Sequence, residues 1–418
     1  MGTASQDSEC SVCGMGRVYS SCKERDASRN APDTTVLHSM ENPFTTIANL
    51  FKKTGDSVLG IDIGSSSIKV IQLRKKGGQA ILETYGELAL GPYSGLEIGR
   101  ATHLPADKLS EALNDVLRES NATTRKCGIA IPLPSSLVSL IEMPAAPPTQ
   151  LAQMIPIEAR KYIPVPISEI TLDWWIIPEQ EAKPSPLQGA PMSGDAAASA
   201  PSAPKVDVLV VAIHNEAITK YQDIVRKTAL ESSFFEIEVF STMRAVLEEE
   251  NATVLIFDLG AGSTKLYIVD RGVIRVSHTI NRGSQEITLA MSRALSIPVA
   301  EAENVKRNFG LGYKHEGVDV SQVMSPTLNF IFSEANRVLL NFERRYNRPI
   351  ANVVVTGGGI NLKGFYEMAR AAFQAPVLVA NPFSKLQAPA FLDPVLKGAG
   401  PEFAVAIGVA LRRLQEIQ

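Results

Sequence analysis

Two stretches of the chain carry the residue types of a phosphate-binding turn in the same frame. One is Ile61-Asp62-Ile63-Gly64-Ser65-Ser66-Ser67-Ile68-Lys69-Val70, and the other is Phe257-Asp258-Leu259-Gly260-Ala261-Gly262-Ser263-Thr264-Lys265-Leu266. Small residues at a turn let backbone N–H groups and hydroxyls come close to phosphate oxygens. An Asp at the end of the preceding strand can hold Mg²⁺, usually through water. A single D-x-G-x-x-S-x-K is most simply a structural turn, but two copies at domain-scale separation are much harder to explain that way. A third Gly-rich turn follows at Val353-Val354-Val355-Thr356-Gly357-Gly358-Gly359-Ile360.

Each of the first two stretches leaves an apolar run, turns on small residues and re-enters an apolar run, which predicts strand–turn–strand hairpins over 58–73 and 254–269. Further strands are expected at 80–88, 126–132, 137–142, 170–177, 206–213, 234–240, 273–279, 352–355 and 377–379. Leu109, Leu113, Val116 and Leu117 share one face of a helix over 104–119. A helix over 150–164 is interrupted by Pro156 and stopped by Pro164. Other helices are read at 216–230, 241–250, 285–295, 299–309, 328–346 and 361–373. The small residues of Gly400–Leu411 suit a tightly crossing final helix.

Two phosphate hairpins followed by a strand–T-G-G-G–helix unit resemble the actin/Hsp70/sugar-kinase superfamily. That resemblance implies an α/β fold of the actin-like ATPase type, two lobes around a nucleotide cleft, with a small inserted subdomain in the first lobe. The E-A-x-K-Y-I-P…L-D-W character of 158–174 makes the chain most similar to the PilM family of type IV pilus assembly, with the FtsA family as nearest cousin. The expected organisation is a disordered leader plus a short amphipathic segment over 1–54 and a first lobe over 55–240. That lobe holds the inserted subdomain at about 125–215 and a disordered Pro/Ala/Ser loop at about 180–204. A second lobe with the C-terminal hinge helix covers 241–418.

Carried over by position, the resemblance implies ATP and Mg²⁺ as ligands. Gly64, Ser65, Ser66 and Ser67 would contact the β- and γ-phosphates, as would Gly260, Ala261, Gly262, Ser263 and Thr264. Asp62 and Asp258 would face each other across the cleft and organise Mg²⁺. Lys69 and Lys265 would lie near phosphate, although a hairpin Lys is as readily solvated. Gly357, Gly358 and Gly359 would bed the adenosine, with Thr356 as a supporting hydroxyl. Glu303 and Lys306 match the A-E-x-x-K pattern whose members touch ribose or adenine; otherwise they are a surface pair one turn apart.

Hydrolysis requires a group that positions the attacking water, and none is evident between the hairpins, so slow or no turnover is expected. The resemblance further implies a cytoplasmic scaffold, peripheral to the inner membrane. It would bind the short cytoplasmic N-terminal tail of PilN, link the alignment complex to the motor ATPases, and possess the capacity to self-associate. Met154, Ile155, Ile157, Tyr162 and Ile163 are the candidate groove residues for that tail, with core packing as their alternative role. An FtsA-like membrane tether is the second reading, and a sugar or acid kinase the third. The tether would want a long linker and an amphipathic anchor after the hinge helix. The kinase would need a catalytic Asp at a substrate hydroxyl.

Composition narrows the field. With 418 residues, 45% of them hydrophobic, the chain can bury more than one core. A net charge of −3 gives no broad attraction to nucleic acid. No apolar run of membrane-spanning length and no signal-peptide pattern stand out. Cys10, Cys13, Cys22 and His38 could be drawn as a zinc site, but their spacing fits no standard finger. A disordered leader is the preferred reading of that stretch, with an upstream start before Met40 as one origin for it.

Overall fold

The computed structural model describes residues 57–177, 204–249 and 251–417. The leader expected over 1–54, with its cysteines, and nearly all of the loop expected over 180–204 lie outside the described residues.

The first lobe is built on a five-stranded sheet. Its hairpin strands β1 (Ser57–Ile63) and β2 (Ser67–Lys76) are antiparallel, and β3 (Gln79–Ala89) extends them. On the other side of β1 lies β4 (Lys126–Ile131), parallel to it, and beyond β4 the parallel strand β8 (Glu231–Ile237). The order is therefore β3-β2-β1-β4-β8. The second lobe repeats this plan with β9 (Thr253–Leu259), β10 (Thr264–Asp270), β11 (Val273–Ile280), β14 (Asn352–Thr356) and β15 (Val377–Val379), in the order β11-β10-β9-β14-β15. In both, the first hairpin strand, β1 or β9, also pairs parallel with the strand on its other side, and its near-continuous apolar run is buried.

A separate three-stranded antiparallel sheet, β5 (Ser136–Pro144), β7 (Lys205–His214) and β6 (Ile170–Ile177), carries helix α2 (Pro148–Ala159) against one face. The strand Lys126–Ile131, expected at the start of this inserted unit, pairs instead with β1 in the main sheet. Helices α1 (Ala106–Glu119) and α3 (Asn215–Lys227) cover the first sheet. Helices α5 (Ser284–Leu295), α6 (Val299–Asn308), α7 (Val320–Tyr346) and α8 (Phe365–Ala372) cover the second.

Two elements cross between the lobes: α4 (Glu238–Val246) and α10 (Ala404–Glu416), the latter preceded by the short α9 (Asp393–Ala399). A Cβ on Gly408 of α10 would lie 1.9 Å from the Ser241 carbonyl oxygen of α4. One on Gly60 of β1 would lie 2.0 Å from the Ala406 carbonyl oxygen. The hinge core therefore joins residues of both lobes, among them Val58, Ile71, Ile256, Tyr267, Phe403 and Ile407. The helical stretch Ala390–Glu416 has the length and apolarity of a membrane span, contrary to the sequence expectation. Within its most apolar window, however, 67% is buried inside the fold, as befits a core helix.

Among the boundaries that differ from those expected are the starts of α7 and α4. Helix α7 begins at Val320, well before 328, because the Asp319 side chain caps the Ser321 N–H at 2.9 Å and Val320, Met324 and Leu328 continue the buried stripe through Pro326. Helix α4 begins at Glu238, where an apolar pattern suggested strand to 240.

Candidate nucleotide-binding cleft

The two hairpin turns have the same internal bond. The Gly64 N–H donates to the Ser67 carbonyl at 3.0 Å, and the Gly260 N–H to the Ser263 carbonyl at 3.0 Å. They face each other closely enough that a Cβ on Gly262 would meet Ser65 Oγ at 3.2 Å. Between the lobes lies a cleft of about 890 Å³, lined by both turns, the T-G-G-G turn and the inner face of α6. That volume falls within the range of small-molecule sites.

The strand register explains the charged floor. Asp62 stands opposite Lys69, and Asp258 opposite Lys265. Lys69 donates to Ser67 Oγ at 2.7 Å and pairs with Glu87, its neighbour on β3, at 3.4 Å. Lys265 pairs with Glu238 at 2.7 Å, across the lobes, and with Asp258 at 3.4 Å. Removal from water pushes the Asp62 carboxyl up to about 6, opposed by Lys69 and Lys265 and aided by Glu238 and Asp258. For Lys69 and Lys265 burial works the other way, but Glu87 and Asp62 in one case, and Glu238 and Asp258 in the other, hold both ammonium groups above the ordinary lysine value.

The four carboxylates Asp62, Glu87, Glu238 and Asp258 thus outnumber the two lysines, so the floor suits a divalent cation. Its donors are hard oxygens of the class Mg²⁺ prefers. Among the described residues no group of three or more His, Cys, Asp or Glu forms a ready-made ligand set. The residues therefore fit a Mg²⁺ that takes most of its ligands from water and phosphate, its usual habit.

The glycine turn after β14 has a steric origin. Gly357 has φ 88°, and a Cβ there would lie 2.3 Å from Asp258 Oδ1; one on Gly359 would lie 2.4 Å from Leu259 Cγ. The turn is thereby pressed against the end of β9, with the Gly357 N–H and the Thr356 hydroxyl both donating to the Pro401 carbonyl, at 2.9 and 3.0 Å. Glu303 and Lys306 are buried on the cleft wall and pair at 2.6 Å, so they are no surface pair. Thr288 donates to Glu303 at 2.7 Å and accepts from Lys306 at 2.8 Å. Burial opposes the Glu303 charge, yet Lys306 and Arg307 keep its carboxyl below the usual range. Burial lowers Lys306 despite the adjacent carboxylate.

Of the residues singled out in the sequence, Asp62, Gly64 to Ser67, Lys69, Asp258, Gly260 to Ser263, Lys265, Glu303, Lys306 and Thr356 to Gly359 all line this cleft. Thr264 does not, because its side chain is buried and its hydroxyl donates to the Arg282 carbonyl at 2.8 Å. Glu87, Glu238 and Glu402 line it unforeseen. Glu238 lies between the hairpins in the sequence and lines the cleft, a carboxylate that the sequence reading did not single out. It was hidden because α4 starts earlier than its pattern suggests, although its position just before a Ser-Thr helix turn was a usable signal. Its Oε1 accepts from the Leu133 N–H at 2.6 Å while Oε2 holds Lys265.

Of the candidate groove residues, Ile155 and Ile163 are core residues of the inserted subdomain and Met154 packs partly against them. Ile157 and Tyr162 are 64% and 47% exposed. Among the described residues, β6 has one strand neighbour, β7, and its outer residue Trp175 is 52% exposed.

Comparison with known proteins agrees with this architecture. The structure is similar to that of a PilM–PilN type IV pilus biogenesis complex, with a TM-score of 0.70 and 24% identity, covering 85% of this chain and 98% of that one. Among curated sequences it is similar to the cell division protein FtsA of Neisseria meningitidis, 27% identical over 71% of this chain and 77% of the relative. It is likewise similar to FtsA of Pseudomonas aeruginosa, 22% identical over 79% and 84%. The fold is that of the actin-like ATPases. A family model described as type IV pilus assembly protein PilM matches residues 60–189 and 195–414, and the chain therefore belongs to the PilM family.

Proposed function

We propose that this protein is a cytoplasmic, ATP-binding scaffold of type IV pilus assembly that captures the cytoplasmic tail of a PilN-type membrane protein. The observation that carries the nucleotide half is the pair of small-residue turns meeting across the cleft, Ser65 opposite Gly262, so that both turns line the same space. Asp62 and Asp258 would hold Mg²⁺, which would neutralise phosphate charge where the lobes close. Turnover is slow. Glu238 is a cleft carboxylate between the hairpins, and with both oxygens engaged by Leu133 and Lys265 it is poorly placed to take a proton from water.

The partner half rests on family membership and on exposed apolar residues of the inserted subdomain, Ile157 and Tyr162 at its helix and Trp175 on the outer strand β6. An extended tail could add to that edge by main-chain pairing while its side chains enter apolar pockets. Linkage to the motor ATPases and location at the inner membrane would follow from such partners. Calorimetric titration with a PilN cytoplasmic-tail peptide, with and without Mg-ATP, tests both halves. Micromolar or tighter binding is expected, shifted by ATP. Absence of peptide binding in either state would move the FtsA-like polymerising tether forward, a reading that nucleotide-dependent sedimentation would check.

A further inference from the structure

The segment between β3 and α1 is not part of either hairpin, yet it forms one wall of the cleft. Pro92, Leu96, Glu97, Ile98 and Gly99 all face the cavity. The segment is compact, with the Leu96 N–H donating to the Gly91 carbonyl at 2.9 Å and left-handed turns at Gly95 (φ 70°) and Gly99 (φ 91°). It is fastened to the first hairpin, since the Thr102 N–H donates to the Ser65 carbonyl and the Leu90 N–H to the Ser66 carbonyl, both at 2.8 Å.

It is also fastened to the opposite lobe. The Ala101 N–H donates to the Gln285 side-chain oxygen of α5. A Cβ on Gly99 would lie 2.9 to 3.1 Å from the Cγ, Cδ and Oε2 atoms of Glu303, so the backbone there rests directly on the wall of α6. Leu96 and Ile98 nonetheless remain 39% and 41% exposed beside a cleft floor that is otherwise charged. Two apolar side chains held open over a polar cavity have a use if something with a flat or hydrophobic face fills it.

We propose that Leu96 and Ile98 are part of the nucleotide site, covering the sugar–base portion of a bound nucleoside triphosphate, and that the Ala101–Gln285 bond holds this cover closed. The proposal rests on the nucleotide reading above. The cover runs from the phosphate turn, where it is tied to the Ser65 and Ser66 carbonyls, to the α6 wall at Glu303, so the apolar face of a nucleoside lies under Leu96 and Ile98 and leaves when the Gln285 bond breaks. The effect belongs chiefly in dissociation, where most affinity differences within one site arise.

The test is the release of radiolabelled ATP from the Mg-loaded full chain into excess unlabelled ATP, for wild type, Gln285→Ala and the double variant Leu96→Ser with Ile98→Ser. All substituted side chains are on or near the surface of the cleft, and circular dichroism melts check that each variant is folded. Release at least about fivefold faster is expected in both variants. The exposed Leu340→Ser on α7 serves as a control expected to match wild type. Rates within about twofold of wild type in both variants would overturn the assignment of the cover while leaving the nucleotide site standing. Failure of the wild type to retain any ATP would overturn the nucleotide reading, and the cover with it.

Discussion

At the scale of single residues, Asp62 is the most informative. Its carboxyl sits at about 6 in the folded protein against an ordinary 3.8, so the native state holds the proton more tightly than the unfolded chain. The stabilisation this gives is complete below the ordinary value and is lost as pH rises to the folded one. Urea melts of nucleotide-free protein should therefore show Asp62→Asn more stable than wild type above pH 6, the difference closing towards pH 4. The same substitution should weaken Mg-ATP binding by about tenfold or more, because it removes a charged partner of the cation. Gly357 makes a steric prediction. Gly357→Ala places a methyl group against Asp258 at a left-handed φ, and thermal melts should record a loss of at least about 2 kcal/mol.

At the scale of elements, the inserted sheet and its helix divide into supporting and exposed faces. Ile155→Ala removes a fully buried side chain and should cost about 2–5 kcal/mol in chemical denaturation. Trp175→Ala removes a half-exposed ring that also lies 6.3 Å from the Phe240 ring, so it should cost stability only about 1 kcal/mol, leave ATP affinity alone and weaken the PilN-tail peptide by about tenfold in calorimetry. The same division marks what the sequence makes legible. Both hairpins and the T-G-G-G turn are readable because their spacing repeats and because glycine is demanded by local sterics, as Gly357 shows. Glu87 and Glu238 are not readable in that way. The place of Glu87 depends on β3 lying beside β2 and on the register that sets it against Lys69, and that of Glu238 on the early start of α4, none of which is written in local spacing. The wall formed by Leu96 and Ile98 escaped for a similar reason: its apolar residues follow no period and are placed by contacts to Gln285 and Glu303 in the other lobe. Ile155 and Ile163 take the core-packing role that was their alternative, since a buried stripe and a docking stripe have the same spacing.

At the scale of the molecule, the inserted sheet is joined to the second lobe. Arg275 on β11 pairs with Asp207 on β7 at 2.6 Å, and Arg275 in turn lies 3.8 Å from Asp270, which also holds Arg348 at 2.6 Å. Any rotation of the lobes pulls on this contact, so ligands in the cleft and at the inserted sheet should influence one another reciprocally. Asp207→Ala should leave each ligand's own affinity close to wild type and reduce the shift that Mg-ATP causes in peptide affinity, measured by paired titrations. The manner of that rotation is set at the hinge, where Gly408 rests on the Ser241 carbonyl and Gly60 on that of Ala406. With main chain against main chain there is no cushion of side chains to repack, so sliding is blocked while turning in place is not. The crossing works as the pin of a pair of scissors: small turns at the pin become wide excursions at the blades, and the blades are where the two phosphate turns stand.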